Sequence, residues 1–544
     1  MTHCKFFLLL LFLASALTGR AGTEPVPQWF RNAVIYEIYP SAFADSNGDG
    51  MGDLAGITRH LDDIKALGCN TIWINACFSS EFKDGGYDVT DYYRIAPRYG
   101  TNEDMAMLLR AAHERGIRVL LDLVAGHTSN HHPWFLQSMK KETNEFSDRY
   151  IWTNDTAVKP PKFVTPEPSD TIRNGNYRKN YFPFQPALNY GYGKIDPSHP
   201  WEEPITAAGP TATRKSLMHI MDFWADMGCD GFRIDMAGSL VKNDPTLEAT
   251  SRLWNEVRAH YLSQHPEGVL LAEWGHPDKA RRIGFTADFL FQFGLDGWRD
   301  LFCNETGVYR YDTCYFDVRG TGTPKRFIHS LLSSLDSLQN EGMVCLPTGN
   351  HDVQRLNCGR RNSPEELKTA LTFLLLMPCV PCIYYGDEIG MRYREGLPDI
   401  EGSMIKAGNR AGSRTKMEWN RVAEQSSSPA SIYNTVKALL QLRASHPALG
   451  TNGGIVFLTT SDGHFGCRGT DYPLTFIRQD GKERFLISVN PSGREVTATY
   501  PRPEDLTEKT TESVLRNADN KAKINRKKLK VTLAPTSFLV CKLK

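Results

Sequence analysis

The sequence predicts a parallel (β/α)8 TIM barrel, interrupted by a small inserted domain after its third strand and followed by an antiparallel β-sandwich. Three observations carry this. Eight short apolar, β-branched runs alternate with helix-patterned stretches, one connection is far too long for a loop, and the periodicity changes after about His446. At 544 residues the chain is long enough for such a barrel and a second unit.

The candidate strands are, in order, AVIYEIY (33–39), TIWI (71–74), RVLLDLV (118–124), GFRIDM (231–236), VLLAEW (269–274), DFLFQF (288–293), MVCLPT (343–348) and PCIYYG (381–386). Between them lie amphipathic stretches such as EDMAMLLRAAHERG (103–116) and TRKSLMHIMDFWADMG (213–228). From His127 to about Trp201 the chain is rich in Asn, Pro, Tyr and Lys with little periodicity, so an inserted domain is expected over 128–200. The barrel then falls into two parts, 22–127 and 201–445. After it, GIVFLTT, PLTFIRQ, RFLISVN, EVTATY, LKVTLAP and SFLVCKL read as the strands of a sandwich over 446–544. The basic run KAKINRKKLK (521–530) reads as a solvated hairpin within it.

At the N-terminus Lys5 precedes an apolar run (6–17) and small residues follow, including Ala14, Ser15, Ala16, Gly19 and Ala21. This is the layout of a cleaved export signal over 1–21, which predicts a secreted or periplasmic protein. The run falls short of the roughly 20 apolar residues that a membrane span needs. A net charge of +1 gives no reason to expect nucleic acid or an anionic membrane as partner, and no feature sets an oligomeric state. Of the 12 cysteines Cys4 falls in the leader, leaving an odd number and hence a free thiol or an intermolecular bridge. Cys379 and Cys382 form a single C-x-x-C in a strand-like context, read as structural instead of metal-binding or redox-active. Asn154 and Asn304 begin glycosylation sequons.

Asp235 ends the fourth predicted strand, Glu273 the fifth, and Asp352 follows the seventh. In a barrel these positions share the C-terminal face, where barrel enzymes place their chemistry. Cleaving a glycosidic bond needs a carboxylate on each side of it. Arg233, two residues before Asp235 and on the same side of the strand, is expected to hold that carboxylate ionised as a nucleophile requires. Leu271, Ala272 and Trp274 give Glu273 an apolar setting suited to a protonated general acid.

DLVAGH (122–127), GFRIDM, LLAEWG (270–275) and TGNHD (348–352) resemble, in order, the four conserved regions of the α-amylase family. QPALN (185–189) resembles its fifth region, IYYGDEIGM (383–391) its eighth-strand region, and NRAGSRTKMEW (409–419) a loop of its oligosaccharide-cleaving members. The resemblance covers about 29–449. It implies that Asp235 is the nucleophile, Glu273 the acid/base, and Asp352 the residue holding the sugar's hydroxyls. It further implies that Tyr87, Asp88, His127, Arg233 and His351 line the subsite for the cleaved glucose, and that Asp88 with Arg414 closes it. Gly126 stands where many members have an asparagine that helps bind a calcium between barrel and insertion, so that ion is not expected. Met236-Ala237-Gly238-Ser239 replaces the Lys-His that many amylases use on the leaving sugar.

A different Ca2+ site is expected in DSNGDGMGD. Asp45, Asn47, Asp49 and Asp53, with the carbonyl of Met51, place hard oxygen ligands at near-alternating positions among glycines. The loop resembles the calcium loop of oligosaccharide α-glucosidases. It is no EF-hand, because Gly56 stands where that motif needs glutamate.

These readings together predict an exported retaining glycosidase acting on α-glucosidic bonds, most simply the α-1,4 bonds of malto-oligosaccharides or starch-like glucans. Two alternatives share the scaffold: a transglycosylase or isomerase, such as a trehalose-forming enzyme, and a non-catalytic amylase-like ectodomain. The three retained carboxylates and the short apolar run speak against the last.

Overall fold

The computed structural model describes residues 26–290, 296–339, 342–398, 400 and 407–544, so the leader expected over 1–21 lies outside the described residues. All eight predicted strands form. We label them β1 (Ile35–Ile38), β2 (Thr71–Ile74), β3 (Arg118–Leu123), β4 (Gly231–Ile234), β5 (Val269–Ala272), β6 (Ala287–Phe289), β7 (Met343–Pro347) and β8 (Val380–Tyr384). They close in sequence order into a parallel barrel, with β8 pairing back on β1 through Ile35 and Cys382.

The flanking helices show local signals agreeing with the fold. Helix Asn102–Glu114 opens on a capping box in which Thr101 and Asp104 exchange side-chain and backbone bonds, and Met105, Leu108, Leu109 and Ala112 form its buried face. The helix before β4 starts earlier than its apolar pattern implies, at Ala208, because Pro210 in the first turn needs no donor there. Among the described residues no helix is long and apolar enough to cross a membrane.

Between β3 and helix Ala208–Asp226 the chain makes its long excursion, with one short helix (Pro133–Ser138) and a two-residue hairpin (Phe163–Val164 with Tyr177–Arg178). Bridges from His127 to Ala187 and from Tyr192 to Lys242 tie it to the segments that follow β3 and β4. After the barrel, a five-stranded and a three-stranded antiparallel sheet follow. The expected hairpin forms from Lys521–Ile524 and Lys528–Leu533. Thr511–Arg516, an edge strand with a bulge between Ser513 and Leu515, escapes the sequence pattern because it is exposed along most of its length. Two buried guanidiniums fasten this unit to the barrel. Arg443 donates to the carbonyls of Leu375, Met377, Cys379 and Leu449, and Arg478 to those of Leu376, Gly450 and Gly453.

The barrel interior has two layers. Ile35, Trp73, Leu120, Leu271, Phe289, Cys345 and Cys382 fill the lower part as one apolar cluster. Two residues further along a strand the side chain points the same way. The next interior positions are therefore Glu37 on β1, Asn75 after β2, Asp122 on β3 and Glu273 after β5, while β4 contributes Arg233 and Asp235. All six are buried. The eleven described cysteines are free thiols, and all but Cys467 are buried, Cys379 and Cys382 included.

Candidate active site

Arg233 is the centre of the polar layer. Its Nη1 lies 2.8 Å from Asp122 Oδ1 and 3.3 Å from Asp235 Oδ1, and its Nη2 lies 2.7 Å from Glu273 Oε2. Asp122 is held from its other side by Tyr87 Oη at 2.8 Å and Trp73 Nε1 at 3.2 Å. The expectation that Arg233 serves Asp235 needs correction, because the guanidinium is shared among three carboxylates and lies closest to Glu273. Burial, then the negative charge of Glu273, pushes the Asp235 carboxyl well above the usual range. Burial also raises Glu273, against the attraction of Arg233 and the Met236 N–H, which donates to Oε2 at 2.9 Å. Each carboxyl is charged only at the other's expense, so the pair titrates as a unit.

Met236, directly after Asp235, adopts a left-handed conformation (φ 45°, ψ 45°) without being glycine. Such a conformation costs on the order of 1 kcal/mol or more and persists only where the surroundings enforce it. Here it turns the Met236 N–H onto Glu273.

Asp352 sits on the opposite wall. Arg414 Nη2 reaches its Oδ1 at 2.9 Å, Arg410 Nη1 at 3.4 Å and His351 Nε2 at 3.8 Å. Burial pushes this carboxyl up, but Arg410, with Arg414 and Arg233, outweighs it and holds the group well below the ordinary carboxylate range. His351 is kept neutral by burial. Its Nδ1 faces Glu37 Oε1 at 2.9 Å, and its ring stacks on Tyr87 with centroids 5.2 Å apart.

The cavity over these groups encloses about 260 Å3 and is lined by Asp84, Tyr87, His127, Tyr181, Phe182, Asp235, Met236, Glu273, Asp352 and Arg410. Of the expected residues, Tyr87, His127, Asp235, Glu273 and Asp352 line it, whereas Arg233, His351 and Arg414 stand behind the wall and orient others. His127 spends both ring nitrogens within the protein, Nε2 on the Tyr87 carbonyl at 2.8 Å and Nδ1 on Asn180 Nδ2 at 3.0 Å. Burial lowers its pKa to about 4, so it is neutral.

Asp88 requires a second correction. It is fully buried away from the cavity, and accepts from the N–H groups of Lys83 and Asp84 and from Ser80 Oγ. The carboxylate of this loop that faces the cavity is Asp84. Its partner is Arg410, whose Nη1 lies 3.4 Å from Asp84 Oδ1 and equally far from Asp352. Gly86 makes the turn possible: at φ +99° it passes so close to Ala76 that a Cβ would sit 2.6 Å from its carbonyl oxygen. The Gly85-Gly86 pair, and the spacing of one helical turn between Arg410 and Arg414, were the available sequence signals. Tyr181 and Phe182 carried none, since the excursion has no periodicity to place them.

The DSNGDGMGD loop turns at Gly48 (φ +83°) and Gly50 (φ +94°) as its composition implies. Its carboxylates are turned onto the loop itself. Asp45 accepts from the N–H groups of Asn47, Gly48 and Gly50, Asp49 from Asn47 Nδ2 and the Met51 N–H, and Asp53 from the N–H groups of Ser46 and Gly56. Lys416 adds a positive charge beside Asp45. Among the described residues no three His, Cys, Asp or Glu side chains are gathered to hold a metal. The oxygens are of the kind Ca2+ takes, but they form no cage, and no step of the chemistry below is routed through an ion.

A closed parallel barrel whose C-terminal rim gathers two carboxylates on one guanidinium, with a third lining the same cavity, fits the class of barrel enzymes that cleave glycosides. Residues 37–452 match the family model described as "Alpha amylase, catalytic domain". A trehalose synthase/amylase of Mycolicibacterium smegmatis is 31% identical over 455 residues, 74% of this chain and 69% of that protein. An oligo-1,6-glucosidase of Heyndrickxia coagulans is 28% identical over 553 residues, 88% of this chain and 94% of that protein. Among solved structures, an isomaltulose synthase from Klebsiella sp. LX3 superposes with a TM-score of 0.74 at 25% identity, covering 95% of this chain and all of that one. The chain belongs to the α-amylase family, and is a glycosidase of that family.

Proposed function

We propose that this enzyme is an α-glucosidase that releases glucose from the non-reducing ends of malto-oligosaccharides by double displacement at α-1,4 bonds. The observation that carries the reading is the Asp84–Arg410–Asp352 bridge. It joins Asp84 and Asp352, two lining residues of the cavity that also holds Asp235 and Glu273, and among the described residues would wall the pocket beyond a terminal sugar. In this reading Asp235 attacks the anomeric carbon and forms a glycosyl ester, while Glu273 gives its proton to the departing oxygen. Glu273 then takes a proton from the water that breaks the ester. Both carboxyls contact the same Arg233 guanidinium, and a pair held that close supports retention. Asp352, kept ionised by its arginines, accepts hydrogen bonds from the sugar's hydroxyls. Digestion of starch tests the reading: steady release of glucose supports it, whereas rapid loss of iodine staining with fragments of maltotriose and longer refutes it.

A second reading, transfer instead of hydrolysis, is favoured by the naming of relatives as trehalose and isomaltulose synthases. Tyr181 and Phe182 add to it, lining the cavity where an acceptor sugar would enter. Maltose separates the two: glucose alone means hydrolysis, trehalose or longer products mean transfer. On the spacing of Asp45, Asn47, Asp49, Met51 and Asp53 we further propose one structural Ca2+, which the loop would bind by exchanging its internal hydrogen bonds for metal contacts. From the leader over 1–21 we propose export.

A further inference from the structure

We propose that Asp288, on β6, is a positioning residue that fixes the acid/base Glu273 from behind, by gathering the backbone N–H groups that follow it. The inference rests on the reading of Glu273 given above.

Asp288 pairs across the sheet with Ala272, the residue before Glu273. Its neighbours Ala287 and Phe289 belong to the barrel's interior cluster, so alternation turns the Asp288 side chain to the opposite side of the strand from the substrate. It is fully buried. Its Oδ1 accepts from Trp274 N–H at 3.0 Å, Gly275 N–H at 3.2 Å and Phe289 N–H at 2.8 Å, and its Oδ2 accepts from His276 N–H at 2.7 Å. Three successive amides can converge on one carboxylate only if the chain curls, and Gly275 supplies the curl with φ +78°. Four N–H donors favour the charged carboxylate, while burial opposes it and lifts the group to about 7.

The clamp therefore begins one residue after Glu273. In front, Arg233 and the Met236 N–H hold the carboxyl; behind, Asp288 holds the main chain that carries it. Two strands and one turn thus fix where the proton is delivered. A shift of about 1 Å in a positioned group can cost roughly a hundredfold in rate. The cost falls on reactions whose leaving group needs that proton.

Asp288→Asn preserves size but removes the charge, and sets an NH2 group against N–H donors. Two substrates read the effect: maltose, whose leaving sugar needs protonation, and 4-nitrophenyl α-glucoside, whose phenolate scarcely does. Loss of kcat/KM on maltose should be roughly ten- to a hundredfold, with less than about threefold on the phenyl glucoside. The alkaline limb of the maltose profile should also move. Gly275→Ala, which strains the curl without touching the carboxylate, should show the same split and serves if Asp288→Asn does not fold. Equal losses on both substrates for these variants would mean mere structural damage and overturn the proposal. Glu273→Gln is the control: if it too loses both substrates equally, the acid/base reading itself has failed. If Glu273→Gln discriminates and the Asp288 and Gly275 variants do not, only the present inference falls.

Discussion

Arg410→Ala removes the cation that joins two walls of the pocket. Its Nη1 is 3.4 Å from both Asp84 and Asp352, and at an effective dielectric of about 20 each pair amounts to about 5 kcal/mol of gross Coulomb energy. Desolvation and the like charge of Arg414 take back most of this, and both contacts are long for hydrogen bonds. A net loss of about 2–3 kcal/mol in transition-state binding remains, which is roughly a 30- to 150-fold fall in kcat/KM on maltose. Two further effects accompany it. Asp352 loses the strongest of the attractions that depress its pKa, so the group must rise and the acid limb of kcat/KM must shift to higher pH. The far wall also opens, so maltoheptaose should yield maltose and maltotriose early in digestion beside glucose. Initial-rate kinetics across pH and chromatography of early products read all three. A variant within twofold of the parent on maltose, with glucose still its sole early product, would refute the reasoning.

Proton NMR during hydrolysis of an α-glucoside should show α-glucose first, with the β-anomer appearing only by mutarotation; initial β-glucose would exclude Asp235 as a nucleophile. Ca2+ added back after exhaustive chelation should raise the melting temperature by a few degrees, as mass action at about 100 times Kd supplies about 2.7 kcal/mol. Asp49→Ala should abolish the gain, and an unshifted parent protein would remove the calcium proposal. Glu388 is fully buried beside Tyr36 Oη at 2.8 Å, and burial raises its pKa to about 7. A carboxyl raised in the folded state contributes stability that is complete below its unfolded value of about 4.3 and lost as pH rises through 7. Glu388→Gln should therefore be more stable than the parent at pH 8, by on the order of a few kcal/mol, and match it near pH 4; calorimetry showing the same difference at both pH values would disprove this.

The barrel was legible because its strands read as apolar runs bounded by polar turns, which places their ends within a residue or two except at β6, expected over 288–293 and ending at Phe289 among the described residues. The rim positions of Asp235 and Glu273 were legible for the same reason, since a charged residue ending an apolar strand has few places to go, whereas Asp352 lies in the loop after β7. The cavity's far wall was not. Asp84 and Asp88 lie in the same short loop, and the positive-φ turn at Gly85 and Gly86 decides which of them faces the cavity. Arg410 and Arg414 likewise lie one turn apart in a loop, and periodicity cannot say which reaches Asp84. Sharing of Arg233 among Asp122, Asp235 and Glu273 depends on neighbouring strands whose register no single strand reveals.

The groups assigned to bond breaking all stand on barrel strands or within a few residues of their ends, whereas Tyr181, Phe182 and Asn180 come from the excursion after β3. Bridges and hydrogen bonds hold that excursion to the barrel, among them Gln185 to Asp84 and Tyr190 to the Ala125 carbonyl. Under the proposed mechanism, bond breaking and the contacts open to a second sugar would therefore lie in separate stretches of chain. A duplicated copy of such a gene could change what receives the glucosyl group by rewriting one contiguous segment, leaving the strands that carry the carboxylates intact. Grafting residues 128–200 between relatives is the laboratory counterpart of that history.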